Sequence, residues 1–515
     1  MNCNKSIQSF AQRAPRAQRG VCMRISYSFF FLLLSFVLNA QNIGSRFAIA
    51  NTLQSNMVIQ QQKPLVIWGF AKPGTKVQVK TSWQNQSVNT ETAKDGKWTT
   101  SIPVPEAQPG NFTPQFITVT AGSESKTLFN ILIGDVWLCS GQSNMDMELK
   151  PFLPWLLGAM HFEMEIENAN YPQIRLFNVR TDFTAQPQDD CGGKWMVCSP
   201  ATAPDFSALA YFFAREIYNR RNIPVGLVVS SVGGSSCQAW VSRDTLQKDE
   251  QLFAKYLQPY DTSKYAKEPL DSVVTFEKVV RPTLFYNAMI HPLKNLQFKG
   301  ALWYQGESNR YDSSMYTRLF SSMIRNWRDL FKNGDLPFYF VQLAPYNWQQ
   351  KDTTVYEYAL LREAQSKTRD IVHNTEMALT MDIADPTDIH PRNKQDLGYR
   401  LAKIALANVY GNKDVVHKGP EYDGHTVTDS IVKVRFKHIG SGLGTNDGLA
   451  PKHFYVAGKD GKFHYANAFI EKDEVWLYSE KVKEPVSVRY AFTNFPETNF
   501  QNKNGFPAVP FRSDF

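Results

Sequence analysis

Four short stretches of this chain carry residue types that together could run acyl transfer through a serine. The first is Gly134-Asp135-Val136-Trp137-Leu138-Cys139-Ser140-Gly141-Gln142-Ser143-Asn144-Met145. Its apolar run 131–138 reads as a buried strand that breaks into small polar residues and Gly141, so Gly141 and Gln142 present Ser143 on a tight turn at the strand's carboxyl end. That is where open α/β sheets bind ligands. The second stretch, Ser230-Ser231-Val232-Gly233-Gly234-Ser235-Ser236, follows the apolar run 225–229. Its glycines let backbone N–H groups approach a ligand closely, as an oxyanion donor must. In the third, Leu302-Trp303-Tyr304-Gln305-Gly306-Glu307-Ser308-Asn309, Gln305 or Asn309 offers a side-chain N–H to an oxyanion, and Glu307 a carboxylate that fixes a donor or a base. The fourth, Asp385-Pro386-Thr387-Asp388-Ile389-His390-Pro391-Arg392-Asn393-Lys394, holds the base. Histidine titrates near neutrality, and a nearby carboxylate orients it and stabilises the imidazolium. Of nine histidines, His390 alone lies beside carboxylates in a loop of the helix-and-strand region.

Singly, each stretch is also what an ordinary loop looks like, because Gly, Ser and Asn are common turn residues. Their recurrence at four separate strand ends is what points to one site. Positioning them requires a parallel sheet, and the chain between them has the right rhythm. Apolar residues at 206, 209, 210, 213 and 217 follow the 3.6-residue period of a helix capped by Asp205, and 225–229 is the next strand. A second apolar stripe spans 316–331, stopped by Gly334 and Pro337 before a strand over 338–343. A helix over 355–369, a strand over 378–382 and a helix over 394–410 closing at Gly411 complete an alternation that predicts an α/β sheet covered by helices.

Both ends read differently. Positions 44–132 show short strands punctuated by Pro73-Gly74 and Asp95-Gly96, the pattern of an N-terminal β-sandwich. Beyond Gly419, short strands return at 431–436, 475–478 and 486–490, so 420–515 is either a second β-rich unit or a set of strands completing the first. Residues 1–40 carry five basic residues and no acidic one, then the ten-residue apolar block 29–38 and Asn39-Ala40. That is the pattern of a cleavable secretory signal, too short for a membrane anchor of roughly 20 residues. Met23 is an alternative start. The expected locale is therefore secreted or periplasmic, with no membrane attachment after cleavage.

At 515 residues, with 43% hydrophobic and 20% charged content, the chain is a globular protein of two or three domains. The net charge of +8 falls to +3 without the five leader cations, and no basic run remains to track phosphates, so nucleic acid is excluded as a partner. The cysteines outside the leader are Cys139, Cys191, Cys198 and Cys237. Cys191 and Cys198 flank a Gly-Gly-Lys-Trp turn and are either bonded or free. No CxxC or His/Cys cluster points to a metal, and no cofactor is expected.

The phrases GDVWLCSGQSNM, VGLVVSSVGGS, ALWYQGESN, LLREAQ and DIHPRNKQDLGYRLA together resemble the sialate O-acetylesterase family, a branch of the SGNH (GDSL-like) hydrolases, over nearly the whole mature chain. The resemblance implies a flavodoxin-like three-layer α/β/α hydrolase core at 133–415 with β-rich accessory regions. It implies metal-free removal of O-acetyl groups from sialic acid or another acetylated sugar. It makes Ser143 the nucleophile and His390 the base, with the oxyanion held by the Ser143 N–H, by Gly233 or Gly234, and by a side chain of the 305–309 block. The family superfamily block usually reads Asp-x-x-His. Here Thr387 stands three before His390, Asp388 two before and Asp385 five before, so Asp388 is the expected orienting acid and Asp385 its rival. Arg362 or Arg392 is the expected partner of a sialic acid carboxylate. The segment 152–157 walls the site or packs in the core. Two other readings stand beside this one: an acetyl esterase acting on plant polysaccharide such as acetylated xylan, and a non-catalytic glycan-binding protein. Oligomeric state is not legible.

Overall fold

A computed structural model describes residues 46–271, 273–347 and 356–514. The leader expected at 1–40 lies outside the described residues. The chain is a mixed α/β protein built on a large sheet. Seven of its strands are labelled here: β1 (Glu124–Gly141), β2 (Ile174–Val179), β3 (Gly193–Val197), β4 (Val225–Ser231), β5 (Gly300–Tyr304), β6 (Phe338–Val341) and β7 (Thr375–Ala378), lying in the spatial order β3-β2-β4-β1-β5-β6-β7. All neighbours run parallel except β3, which is antiparallel to β2 at the edge. Strand order reverses at β1, with β4 on one side and β5 on the other. A crevice therefore opens beyond the carboxyl end of β1, where Ser143 follows.

The four long helices are α1 (Ala208–Arg221), α2 (Ser313–Phe331), α3 (Glu357–Ile371) and α4 (Lys394–Asn408). Successive side chains on a strand point to opposite faces, and the core divides accordingly. Trp137 and Cys139 on β1, with Leu302 and Tyr304 on β5, pack with Phe213 of α1 and Leu397 and Leu401 of α4. Val136, Leu138, Ala301 and Trp303 belong to a second core with Phe320 of α2 and Leu361 of α3. The cap of α1 is Ser207, whose hydroxyl accepts from the Ala210 amide at 3.3 Å; Asp205, expected in that role, instead pairs with Lys150. The last strand ends at Ala378, four residues before the expected end. Side-chain bonds replace the ladder there: the Thr380 hydroxyl donates to the Gln342 carbonyl at 3.2 Å, and Arg400 donates to the Leu379 carbonyl at 2.7 Å.

The N-terminal strands form two small sheets, one of which is not separate from the main sheet. Gln115–Ala121 pairs antiparallel with the first half of β1, and β4 and β5 pair with its second half. The 132/133 boundary expected between the units falls inside this one continuous strand. The C-terminal strands have their own core, in which Val434, Phe454, Val475, Val488 and Phe500 are buried together. Among the described residues they pair only with one another, in sheets separate from the N-terminal ones.

Cys191 and Cys198 are free. The segment between them is strand β3, not a turn, and at about 3.3 Å per residue an extended segment of this length holds its ends roughly 20 Å apart, several times the Cα spacing of a disulfide. Burial raises both thiols to about 12.

Candidate active site

Ser143 opens a one-turn helix, Ser143–Asp146, immediately beyond β1. Gly141 makes the turn possible. Its φ is +144°, and a Cβ there would lie 2.1 Å from the Tyr304 carbonyl oxygen, so only glycine lets the chain cross β5 this closely. The same Tyr304 carbonyl accepts the Gln142 amide at 3.0 Å. The Gln142 side chain does not face the open side of Ser143; its Oε1 accepts from the Gly306 amide at 3.4 Å and the Ser308 amide at 3.5 Å, tying the serine turn to the turn after β5.

Across 247 residues of chain, His390 Nε2 lies 2.9 Å from Ser143 Oγ. The other ring nitrogen, Nδ1, is 3.3 Å from Asp388 Oδ1, which also accepts the His390 amide at 2.8 Å. This short Asp388–His390 loop is a two-point hold on the imidazole. Burial pushes the Asp388 carboxyl up, but the bonds from the His390 ring and amide, and the His390 and Lys394 charges, outweigh it, and the net displacement is downward. Asp388 is thus kept as a carboxylate. Asp385 turns away: its Oδ1 accepts from the Thr387 amide at 2.8 Å and hydroxyl at 2.7 Å. Of the two candidate acids, only Asp388 reaches the ring.

Gly233 sits beside the serine, with a Cβ added there falling 3.7 Å from the Ser143 Cβ, and Gly234 takes a positive φ of +73°. The amides of Ser143 and Gly233 donate to no protein group among the described residues. The side chains expected to complete an oxyanion hole are not available for it. Gln305 is fully buried, and its amide donates to the Ser235 carbonyl at 3.2 Å and to Asn309 Oδ1 at 2.8 Å. Asn309 Nδ2 donates to Gln238 Oε1 at 3.0 Å and Asp312 Oδ2 at 3.4 Å, and its Oδ1 also accepts the Cys237 amide at 2.9 Å. These two residues lock the turns after β4 and β5 together. Glu307 is close to the serine turn and accepts from Asn144 Nδ2 at 2.6 Å. Asn144 and Lys394, both fully buried, join this group through a 2.6 Å bond from Lys394 Nζ to Asn144 Oδ1. Both stand inside the quoted sequence stretches, but only the fold reveals that they touch.

Both arginines expected to read a sugar carboxylate donate to backbone carbonyls, and Arg362 is fully buried. Arg362, fully buried on α3, donates to the Thr493 carbonyl and, at 3.4 Å, to the Asn494 carbonyl, so it clamps the C-terminal unit to the helix. Burial lowers its guanidinium to about 9. Arg392 donates to the Gly158 and Ala159 carbonyls at 3.1 and 3.3 Å. It thereby pins the end of the loop that carries Phe152, Leu153 and Trp155, all of them exposed and not part of the core. Arg362→Ala is expected to lower the unfolding free energy by about 2–4 kcal/mol through lost charge-assisted bonds and a cavity, measured by denaturant titration, with KM for an acetylated sugar unmoved. A raised KM at unchanged stability would return Arg362 to the substrate.

Comparison with known proteins places this geometry among relatives. A family model for carbohydrate esterases described as sialic acid-specific acetylesterases matches residues 133–407. Sialate O-acetylesterase of Mus musculus is 32% identical over 434 residues, covering 76% of this chain and 78% of that protein. That of Homo sapiens is 32% identical over 424 residues, covering 76% of each. The solved structure of a carbohydrate acetylesterase from Xanthomonas citri superposes with a TM-score of 0.79 at 33% identity, covering 91% of this chain and 99% of that one.

Proposed function

The chain belongs to the sialic acid-specific acetylesterase family of carbohydrate esterases and is a carboxylic-ester hydrolase, and from that premise we propose that it removes O-acetyl groups from sialic acids through an acetyl-enzyme on Ser143. The observation carrying the mechanism is the 2.9 Å contact between Ser143 Oγ and His390 Nε2, with Asp388 on the opposite ring nitrogen. Ser143 Oγ attacks the acetyl carbonyl carbon while His390 Nε2 takes its proton. The carbonyl oxygen becomes an oxyanion held by the amides of Ser143 and Gly233. The bond to the sugar oxygen then breaks, and His390 returns the proton to that oxygen as the sugar leaves. Water repeats the sequence on the acetyl-enzyme: His390 takes a water proton, the hydroxide adds to the carbonyl, and acetate departs as Ser143 Oγ recovers its proton. Asp388 holds the ring and balances the imidazolium in both halves.

The strand order about β1, with helices on both faces, supports the SGNH three-layer architecture, and the paired small sheets support a β-sandwich at the N-terminus. The apolar block at 29–38 supports export. Among the described residues, no helix is long and apolar enough to cross a membrane. A neutral acetylated polysaccharide is the second reading for the substrate, favoured by the engagement of Arg362 and Arg392 with backbone carbonyls. Acetate release from O-acetylated sialic acids and from acetylated xylan, compared at matched acetyl concentration, separates the two. The sialate reading expects a kcat/KM at least about 10-fold higher on the sialic acids, a difference of about 1.4 kcal/mol in transition-state binding; the reverse ratio would replace it.

A further inference from the structure

Three of the four hydrogen-bonding positions of the Asn144 side chain are taken by three different parts of the site. Its Nδ2 donates to Glu307 Oε1 at 2.6 Å and to the Ile389 carbonyl at 3.1 Å, while its Oδ1 accepts from Lys394 Nζ at 2.6 Å. A flipped amide would set Oδ1 against two acceptors and Nδ2 against an ammonium, so the surroundings dictate a single orientation. The partners lie on the turn after β5, on the residue preceding His390, and at the first residue of α4. Asn144 itself adjoins Ser143. The brace therefore links the chain carrying the nucleophile directly to the chain carrying the base.

We infer that Lys394, Asn144 and Glu307 are positioning residues for acyl transfer, acting together to hold Ser143 Oγ at attack distance from His390. The inference rests on Ser143 being the nucleophile. None of the three touches the reacting atoms, and filling the core does not call for them: a fully buried lysine is costly to desolvate, and replacing a buried charged group together with its partners by well-packed apolar side chains usually leaves stability equal or better. Lys394 Nζ lies 5.0 Å from the centre of the Tyr304 ring, and burial lowers its ammonium to about 7 against the opposing pull of Glu307 and Asp388. Burial likewise raises the Glu307 carboxyl, against its bond from Asn144 and the charges of His390 and Lys394. Glu307 Oε2 is buried without a partner among the described residues. The Lys394 amine and the Glu307 carboxyl group are thus held apart by the Asn144 amide, which both grip. Severing either grip frees the amide to rotate, and a misplacement of about 1 Å at a reacting centre costs on the order of 10²-fold in rate.

Lys394→Met, nearly equal in volume and unable to donate, tests this on the full-length enzyme with an aryl acetate. The expected result is a kcat lower by on the order of 10²-fold, KM within about twofold because substrate contacts are untouched, and a lower melting temperature, because Asn144 Oδ1 loses its donor and Glu307 its opposing charge. The double variant Lys394→Met/Asn144→Ala should lose no more than either single one, as members of one linked unit do. Wild-type kcat in folded Lys394→Met, or a double loss equal to the product of the single losses, would overturn the inference. Should Lys394→Met not accumulate as folded protein, Asn144→Ala and Glu307→Ala make the same cycle with the same two outcomes. An inactive Ser143→Ala beside a fully active Lys394→Met would sink the brace alone; an active Ser143→Ala would sink the serine mechanism beneath it.

Discussion

Ser143→Ala is expected to lower kcat for acetyl release by on the order of 10⁵- to 10⁶-fold, leaving KM within a few-fold of the wild type. Loss of Oγ removes the atom that forms the acetyl-enzyme, and nothing adjacent can replace it. Ser140 is fully buried and donates to the Ser230 carbonyl at 2.5 Å, and Ser235 is likewise buried with its hydroxyl 3.4 Å from the Gly141 carbonyl. The residual rate should reflect water attack on an ester still held by the Ser143 and Gly233 amides, since alanine keeps the backbone donor. His390→Ala should fall to a similar level, and the double variant no lower, because nucleophile and base act as one unit. Steady-state acetate release on an aryl acetate checks all three. A Ser143→Ala enzyme retaining a tenth of wild-type turnover would mean that another group, or an activated water alone, does the chemistry.

Asp388→Asn carries the second largest effect, a fall in kcat of about 10⁴-fold. The substitution keeps the shape of the loop but replaces a charged acceptor 3.3 Å from His390 Nδ1 with an amide that can present its N–H to the ring. The ring then favours the tautomer with the proton on Nε2, where it can no longer accept the Ser143 proton, and the imidazolium loses its counter-charge. Asp385→Asn is the control. Asp385 is exposed and serves only to turn the chain through Thr387, so its variant should retain turnover within about threefold, the range of a small surface effect. The pair decides between two acids five and two residues before the histidine that spacing alone left in competition. If Asp385→Asn were the dead variant, the loop would have to rearrange on binding substrate, and Asp388 would serve only to cap the His390 amide.

Much of the site was legible because strand ends advertise themselves. Long apolar runs ending in Gly, Ser, Gln or Asn located four turns, and β1, β4 and β5 together with the loop after β7 bring them to the same crevice. What the sequence leaves open is how polar groups are used, which depends on neighbours far away in the chain. Gln305 and Asn309 are the right residue types for an oxyanion hole, yet their N–H groups are consumed by Ser235, Asn309 itself, Gln238 and Asp312. Arg362 and Arg392 look like carboxylate readers until the carbonyls of Thr493, Asn494, Gly158 and Ala159 are placed against them. Asn144 and Lys394 went unremarked for the converse reason: each stands in a stretch read for its neighbour, and 250 residues separate the two. The long strand β1 escaped because the turn before it lies at 122–123, so its first half reads as a hairpin partner and its second as a buried parallel strand, with no punctuation between. Burial periodicity changes along it from the one kind to the other, and only pairing shows it to be continuous.

The central claim is that acetyl passes through Ser143, and mass measurement of the enzyme itself tests it most directly. The enzyme is mixed with excess aryl acetate, quenched in acid during turnover, and digested for peptide mass mapping. One acetyl group should appear on the peptide containing Ser143, at a level that decays when substrate is exhausted, and none should appear in Ser143→Ala. Acetyl found on another residue, or turnover at wild-type rate with no acetyl on Ser143 at any quench time, would contradict the account.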